Sequence, residues 1–136
     1  MDGFPFETPV VVRFRDIDAM GHVNNAVYGT YFELAREAFF KEVFGVASAT
    51  DYFYILARLE VDFRRPVRYE DRVLVGLRVS QLGRTSFTFD YRIEASGETA
   101  AEGKTVQVAY DYGAGRTMPI PEAHRQKLAA FLVPAP

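Results

Sequence analysis

Residues 24–46 read NNAVYGTYFELAREAFFKEVFGV, and this stretch decides the fold class. Asn24 or Asn25 is a suitable N-cap, and Gly45 is a suitable C-terminal stop. Together they predict a helix of about 20 residues, roughly 30 Å long. Further apolar residues widen its apolar face (Val27, Leu34, Ala38 and Phe40), so we expect other structure to wrap most of it. Its main apolar side chains recur at helical spacing, at Tyr28, Tyr31, Phe32, Ala35, Phe39 and Val43.

The sequence on either side of this helix has the two-residue alternation and β-branched runs of strands. A first strand is predicted at TPVVVRFRD, residues 8–16. Hairpin turns are predicted at Leu82-Gly83-Arg84 and at Ser96-Gly97-Glu98. PEAHRQKLAAFL, residues 121–132, predicts a short helix with Pro121 in its first turn. Four more strands are predicted after the long helix, at residues 52–67, 71–83, 84–96 and 98–112.

This order of elements predicts an α+β fold. The simplest packing is an antiparallel sheet of about five strands folded around the one long helix. We expect residues 1–136 to form a single domain, because the length suits one core and leaves little room for a second. Such a sheet has two edge strands, and pairing of edges in a homodimer is one way to cover them.

Composition excludes several classes of protein. The net charge is -2, so the surface lacks the basic field of a general nucleic-acid binder. There is no cysteine, which removes disulfides, thiolate metal sites and cysteine nucleophiles. The first ten residues, MDGFPFETPV, do not resemble a signal peptide. The sequence also lacks an apolar run of about 18 residues, the length that predicts a membrane span. We therefore expect a cytoplasmic protein that binds neither nucleic acid nor membrane.

Residues 16–25, DIDAMGHVNN, concentrate polar side chains between the first strand and the helix. A carboxylate there can attack a carbonyl or take a proton from water, and helix N-terminal N–H groups can stabilise the resulting oxyanion. Gly21, without a side chain, would leave the approach to those N–H groups open. This set suffices to hydrolyse a reactive ester such as a thioester. The same residue types also form turns and caps, so a purely structural connection stays open on local chemistry.

Two other sequence features give weaker indications of function. GETAAEGKT, residues 97–105, resembles a phosphate-binding loop, but its glycines are separated by five residues and a strand-like segment follows, so a hairpin turn is the better interpretation. The histidines, His22 and His124, are too few for a usual metal site, and His124 is interpreted as structural.

DIDAMGHVNNAVYGTYFELAREAFF resembles the acyl-CoA thioesterases of the hotdog-fold superfamily, in the 4-hydroxybenzoyl-CoA thioesterase-like branch. LEVDFRRPVRYEDRVLV, GRTSFTFDYRI and AAEGKTVQVAYDYGAGRTMPIP resemble later parts of the same family, so the similarity covers nearly the whole chain. The resemblance implies the hotdog fold, in which the sheet wraps the long helix.

The resemblance also implies site residues. Asp18 matches the catalytic carboxylate, as nucleophile or general base, and the backbone N–H of Asn25 matches the carbonyl-polarising group. Gly21 and His22 lie beside it, with His22 either orienting substrate or serving structure. Asp16 is interpreted as structural. Tyr28 is assigned to the acyl channel, with a core role as the alternative, and Glu33 is a reserve carboxylate because another branch uses a helix glutamate.

For the substrate, the resemblance implies an acyl-CoA whose nucleotide meets basic side chains. Arg84 in the GRTS turn matches a phosphate-contacting position, and Ser86 in the same segment is a further substrate-binding candidate. Arg64 and Arg65 are weaker candidates. No metal and no bound cofactor are implied, since CoA arrives with the substrate. Related enzymes place the site between subunits, so we expect a homo-oligomer, a dimer at least and a tetramer by analogy.

The leading prediction is thus an acyl-CoA thioesterase releasing a carboxylic acid and free CoA. Three alternatives stay open: an acyl-acyl-carrier-protein thioesterase, a hydratase of the same superfamily, and a non-catalytic acyl-CoA-binding protein. A hydratase would normally need a histidine with a carboxylate, whereas here the candidate is an aspartate before the helix.

Overall fold

A computed structural model describes residues 1–48 and 51–133. Five strands form an antiparallel sheet in the order β1-β3-β4-β5-β2, and a two-residue β6 pairs with β5. Neither helix in the described ranges has the length and apolar character of a membrane span. The elements in chain order are β1 (Phe6–Val10), α1 (Tyr28–Val43), β2 (Tyr54–Phe63), β3 (Val73–Leu82), β4 (Ser86–Ala95), β5 (Glu98–Asp111), β6 (Arg116–Thr117) and α2 (Glu122–Ala129).

The long helix is confirmed, but α1 has 16 residues where about 20 were predicted, because a 3-10 turn replaces its first turn. Asn24 accepts a hydrogen bond from the Ala26 N–H and begins a 3-10 turn, Asn25–Val27, that leads directly into α1. After α1, Gly45 has φ = +71°, a conformation that favours glycine and ends the helix. The predicted stripe packs on the inner face of the sheet, where Phe32 stacks on Tyr91 with ring centroids 4.3 Å apart.

The wrapping of α1 is less complete than predicted. Leu34 is 40% exposed, because the sheet of this one chain covers a single face of the helix. Leu56, Leu59 and Phe63 on β2 are also about half exposed. These three side chains form an apolar strip along the free edge of β2, where Leu59 lies against Gly29 of α1.

The first strand differs from the prediction. β1 pairs with β3 only from Phe6 to Val10, and residues Phe14–Asp16 form a 3-10 turn instead of continuing the strand to residue 16. The Asp16 carboxylate closes this turn by accepting from the backbone N–H of Arg13 at 2.9 Å. A local side-chain bond thus overrides the alternating apolar pattern.

The hairpin at residues 95–98 is confirmed. Ser96 and Gly97 both have positive φ, +49° and +87°, as a tight two-residue turn requires. The remainder of GETAAEGKT lies in β5, so no helix follows it to present N–H groups to a phosphate. Gly103 within β5 permits close packing, since a Cβ there would meet Phe32 Cε2 at 2.6 Å.

The register fixes two opposite ends of the sheet. Val10, Phe63 and Val73 lie at the end that carries the Asp18 loop, which we call the Asp18 end. Tyr54, Leu82 and Ser86 lie at the other, the Arg84 end. The ends are separated by the ten residues of β3, roughly 30 Å.

His124 packs α2 against the rest of the domain at the Arg84 end. Its ring stacks on Phe44 with centroids 4.0 Å apart, and its Nδ1 lies 2.8 Å from the Tyr54 hydroxyl. Burial, and secondarily the charge of Lys127, lower the pKa of His124. These contacts support the structural interpretation of this histidine.

We expect this histidine to make stability depend on pH near neutrality. As pH falls through about 6.5, the unfolded chain binds a proton that folded His124 binds only at lower pH. The free energy of unfolding should therefore decrease as pH falls through this window and level off below the folded-state pKa. Urea unfolding from about pH 7.5 to 5 measures this, and His124→Gln should remove that component. An unchanged slope in His124→Gln would assign the effect to other groups.

Candidate active site

The Asp18 side chain has two unlike oxygens. Its Oδ1 accepts hydrogen bonds from the backbone N–H groups of Met20, at 2.9 Å, and His22, at 3.2 Å. No donor to Oδ2 is present among the described residues. The carboxylate therefore closes its own loop with one oxygen and leaves the other available. Asp18 therefore fits both interpretations of residues 16–25, as a residue that forms a turn and as a candidate catalytic carboxylate.

Backbone bonds complete the loop. The N–H of Asp18 donates to the carbonyl of His22 at 2.7 Å, and the N–H of Gly21 donates to the carbonyl of Asp18 at 3.0 Å. Gly21 has φ = +78°, and a Cβ there would meet nothing within 4 Å. Glycine is thus favoured at this position by backbone conformation and not by crowding. Because the N–H groups of Gly21 and His22 are engaged within the loop, neither is free to polarise a substrate carbonyl.

The backbone N–H of Asn25 is the candidate donor to a substrate carbonyl. Asn24 takes up the next two N–H groups, since its side chain accepts from Ala26 and its carbonyl accepts from Val27 at 2.8 Å. Within residues 1–48 and 51–133 nothing accepts from the N–H of Asn25. This N–H begins the 3-10 turn that continues into α1, where the helix dipole adds partial positive charge.

Asp16 has a different environment. It is buried and accepts from the backbone and guanidinium of Arg13 and from the Tyr31 hydroxyl at 2.9 Å. Burial raises the pKa of Asp16, but the hydrogen bonds from Arg13 and Tyr31 outweigh it, and the pKa lies below its usual value. These contacts support a structural role.

A groove of about 280 Å³ opens at the Asp18 end. One wall is the bend after β2, held in place where the N–H groups of Arg64 and Arg65 both donate to the Ala100 carbonyl, at 2.8 and 3.1 Å. Of the predicted site residues, the groove brings together Asp18, His22, Asn25, Tyr28, Arg64 and Arg65. It is also lined by Met20, Val23, Phe63 and Pro66.

Sequence reasoning missed part of this wall. Phe63 packs edge-on against Tyr28 with ring centroids 4.9 Å apart, and Pro66 marks the bend. The signal available was the RRP turn at the end of an alternating strand, which indicates where the chain leaves the sheet.

Arg84 and Ser86 lie elsewhere. Both are at the Arg84 end, so within one chain they do not share the groove with Asp18, and their role in substrate binding stays a prediction. Arg65 does line the groove, although it also forms an ion pair with Glu98. Glu33 faces a second groove, of about 300 Å³, with Arg36 and Tyr54.

No three His, Asp or Glu side chains converge to hold a metal ion anywhere in the described part of the chain. The groove at the Asp18 end therefore contains a carboxylate oxygen and a backbone N–H donor, with walls of apolar side chains together with His22, Arg64 and Arg65. Tyr28 contributes to those walls, being almost fully buried, and burial raises the pKa of its hydroxyl.

Comparisons with known proteins agree with this geometry. Residues 12–128 match the family profile of the thioesterase-like superfamily. A Thermus thermophilus thioesterase crystallised with coenzyme A and zinc is 42% identical, with a TM-score of 0.87 and 96% of each chain covered. A 1,4-dihydroxy-2-naphthoyl-CoA hydrolase of Synechococcus elongatus is 25% identical over 82% of this chain and 86% of its own. A chloroplastic acyl-acyl carrier protein thioesterase of Arabidopsis thaliana is 29% identical over 93% and 68%. The chain therefore belongs to the thioesterase-like superfamily and is a thioester hydrolase with the hotdog fold.

Proposed function

We propose that the protein is an acyl-CoA thioesterase, which hydrolyses an acyl-CoA to a free carboxylic acid and CoA. The observation that carries this proposal is the pairing of two groups in one groove, a carboxylate oxygen and a backbone N–H, neither of which has a hydrogen-bond partner among the residues that the structure describes. Thioester hydrolysis needs a base or nucleophile on one side of the carbonyl and a donor for its oxygen on the other. The similarity to a thioesterase crystallised with coenzyme A supports CoA as the thiol.

The proposed step uses Oδ2 of Asp18. A water oxygen bonds to the thioester carbon while its proton passes to Oδ2, and the carbonyl oxygen, now negative, accepts from the Asn25 N–H. The C–S bond then breaks, and the CoA sulfur leaves and takes up the proton held on Oδ2. In the alternative step Oδ2 itself attacks the carbon and the C–S bond breaks to release CoA. Water then hydrolyses the resulting anhydride to the carboxylic acid and restores the Asp18 carboxylate. Both steps need the same two groups in the same places.

The test is release of free thiol by the purified protein from a panel of acyl-CoAs, from acetyl through long-chain to phenylacetyl and hydroxybenzoyl. Hydrolysis of at least one member is expected, and the preferred member identifies the acyl class. Tight binding of every acyl-CoA without thiol release would contradict the proposal and favour a binding protein.

A second candidate, hydrolysis of an acyl-acyl carrier protein, is favoured by the 29% identity to the Arabidopsis enzyme. It requires the same groove and the same two groups, and differs only in what carries the pantetheine arm. Comparing kcat/KM for one acyl group on CoA and on carrier protein separates the two. A clear preference for the carrier would replace the first proposal with the second.

We also propose that residues 1–136 act as one domain and assemble as a homodimer through β2, with a tetramer as a further step. β2 is a ten-residue edge strand, and it carries an open apolar strip formed by Leu56, Leu59 and Phe63. A second copy paired along this edge would cover the strip. Since Phe63 also lines the groove, the partner would lie beside the active site.

Leu59→Glu is expected to dissociate such a dimer, because it places a charge in the strip. Its side chain is 47% exposed in the single chain, so the subunit should stay folded. Sedimentation velocity measures the assembly, and Val11→Glu on the segment after β1 is the control for the opposite edge. A dimer that survives Leu59→Glu but not Val11→Glu would place the interface at β1.

A further inference from the structure

Exposed apolar side chains cluster beside β1, the second edge strand of the sheet. Phe14 is 83% exposed and Tyr69 is 53% exposed, and their rings meet edge-on with centroids 6.3 Å apart. Val11 is also 83% exposed, and it lines one shallow groove of about 650 Å³ together with Tyr69. We call Val11, Phe14, Tyr69 and this groove the Phe14 patch. Contiguous exposed apolar residues with a polar border mark a surface at which another molecule binds.

The Phe14 patch borders the active-site groove. His22, which lines that groove, forms an isolated antiparallel β-bridge with Arg68, and Tyr69 is the next residue. The Cα atoms of bridged residues are about 5 Å apart and those of consecutive residues about 3.8 Å apart, so the Cα atoms of Tyr69 and His22 lie within roughly 9 Å. On the other side, Phe14 begins a 3-10 turn four residues before Asp18. A molecule bound to the patch therefore lies at the mouth of the groove.

Three arginines without an ion pair border the patch. Arg15, Arg68 and Arg72 are exposed, and no carboxylate within the described residues forms an ion pair with their side chains. Arg72 lines the groove of the patch, while Arg15 directly follows Phe14 and Arg68 directly precedes Tyr69 in the chain. Guanidinium groups form strong bidentate hydrogen bonds with carboxylates. The border of the patch is therefore suited to an acidic surface.

Three acids lie among these arginines, and two of them are engaged within the chain. Asp16 is buried, and its charge is balanced by Arg13. Both carboxylate oxygens of Asp71 accept hydrogen bonds, one from the Arg68 N–H at 2.8 Å and one from a serine hydroxyl at 2.9 Å. Of the three acids, only Glu70 is exposed. Three free arginines thus face one free carboxylate, so the border of the patch is positive.

We propose that the Phe14 patch docks an acidic carrier protein, which brings the acyl group to the active-site groove on a pantetheine arm. This inference rests on the proposed function and deepens it, because it names a protein partner and a docking surface for the same hydrolysis. The carrier lays an amphipathic helix in the groove of the patch, with apolar side chains against Phe14 and Tyr69. Its acidic side chains pair with Arg15, Arg68 and Arg72.

Shape and composition favour an acidic helix over a lipid surface or a second copy of the chain. The groove of the patch lies between residues 9–12 and 69–74, so it can receive a helix, whereas a flat bilayer would leave it unfilled. Exposed aromatic residues ringed by arginines, without lysine, are the composition typical of protein interfaces. A second copy of the chain is assigned to the longer free edge at β2, on the other side of the sheet. The second candidate substrate, an acyl-acyl carrier protein, supplies a partner of the required kind.

The experiment compares one acyl group carried by a bacterial acyl carrier protein, by CoA and by pantetheine. In Phe14→Ala and Arg72→Glu, KM for the acyl-carrier protein should rise roughly tenfold with kcat little changed, by analogy with hot-spot residues of protein interfaces. Both side chains are exposed, so the subunit should stay folded. KM for acyl-CoA and for acyl-pantetheine should match the parent, because neither substrate has a protein to dock.

Tyr112→Ala and Arg116→Glu are the matched controls. Tyr112 is 66% exposed and also pairs edge-on, with ring centroids 5.2 Å from Tyr110, and Arg116 is an exposed arginine of β6. Both lie at the Arg84 end, away from the Phe14 patch. Both variants should keep the parental KM for the acyl-carrier protein.

A binding measurement tests the docking without hydrolysis. The acyl carrier protein without its pantetheine arm should bind the parent in calorimetry and bind Phe14→Ala and Arg72→Glu several-fold more weakly. Raised salt should weaken binding to the parent more than binding to Arg72→Glu, because the charge reversal has removed one attractive pair. The same armless carrier should compete with the acyl-carrier protein as substrate and leave hydrolysis of acyl-pantetheine unchanged.

Several outcomes would overturn the inference. Parental KM for the acyl-carrier protein in both variants would do so, as would a parent that hydrolyses acyl-CoA but not the acyl-carrier protein. An equal rise in KM for acyl-CoA would assign the Phe14 patch to CoA itself, and dissociation of the oligomer by Phe14→Ala would assign it to an interface between copies.

Two further outcomes separate the remaining possibilities. Binding of the parent to vesicles of phosphatidylglycerol and phosphatidylcholine that is lost in Phe14→Ala, with unchanged carrier kinetics, would overturn the inference and assign the patch to a lipid surface. Failure of the parent to hydrolyse any of the three thioesters, with binding of the armless carrier intact, would instead contradict the proposed function alone.

Discussion

Asp18→Asn is expected to lower turnover of acyl-CoA by about 10²–10⁴-fold while leaving the fold and the oligomer intact. The amide oxygen of asparagine can still accept from the N–H groups of Met20 and His22, so the loop keeps its closure. The other atom becomes an amide nitrogen, which neither takes a proton from water nor attacks a carbonyl. Thiol release measures turnover, and circular dichroism with sedimentation measures fold and assembly.

Asp111→Asn is the matched control for the structural effect. Asp111 also closes a turn with one oxygen, accepting from the N–H groups of Gly113 at 2.9 Å and Ala114 at 3.0 Å, but at the Arg84 end. It should keep parental turnover. If Asp18→Asn and Asp111→Asn were equally active, Asp18 would be a turn residue only. Mass spectrometry of rapidly quenched parental enzyme then separates the two chemical steps, because an acyl adduct on Asp18 indicates direct attack.

Asp16→Asn is expected to lower the free energy of unfolding by about 2–4 kcal/mol. Its carboxylate is 1% exposed and accepts four hydrogen bonds, three from Arg13 and one from the Tyr31 hydroxyl. An amide replaces one acceptor with a donor that faces other donors, and it leaves the Arg13 charge without its partner. Urea denaturation at neutral pH measures the change.

Two comparisons test which interactions cause the expected decrease in the free energy of unfolding. Tyr31→Phe removes one of the four bonds and should cost only about 0.5–1.5 kcal/mol. The difference between parent and Asp16→Asn should also shrink in acid. Because the folded-state pKa of Asp16 is lowered, its contribution is complete above the ordinary pKa near 3.8 and is lost as pH falls through the folded-state value. A cost that is the same at pH 7 and in strong acid would mean that packing, and not charge, accounts for it.

Local chemistry was enough to predict some parts of this molecule. The α1 stripe, the Gly45 stop and the Ser96-Gly97 turn each depend on a few neighbouring residues, so the sequence displays them directly. The end of β1 was mispredicted because Asp16 competes with the strand through a side-chain bond that apolar patterning does not contain.

The candidate site also has some features that neighbouring residues predict and others that depend on long-range pairing. Asp18 and Asn25 lie on one continuous loop, and the structure brings them together in one groove. The wall formed by Phe63 and Pro66 comes from a bend 45 or more residues away in sequence, and the distant location of Arg84 follows from strand register. Register is set by long-range pairing, which a single sequence does not reveal.

The carboxylate of Asp18 and the wall after β2 are held by different backbone hydrogen bonds, and the two segments meet where the Val23 N–H donates to the Val67 carbonyl at 2.8 Å. This arrangement bears on how the enzyme could acquire new substrates. The Asp18 carboxylate is positioned by N–H groups only two and four residues further along its own loop, so its location does not depend on the side chains of residues 63–66. The backbone of the wall is held by the N–H groups of Arg64 and Arg65, which donate to the Ala100 carbonyl, and this attachment does not require particular side chains at residues 63–66. Laboratory evolution confined to those four positions should therefore redirect acyl preference while the hydrolytic machinery is inherited unchanged. A library in the Asp18 loop should instead yield mostly inactive proteins.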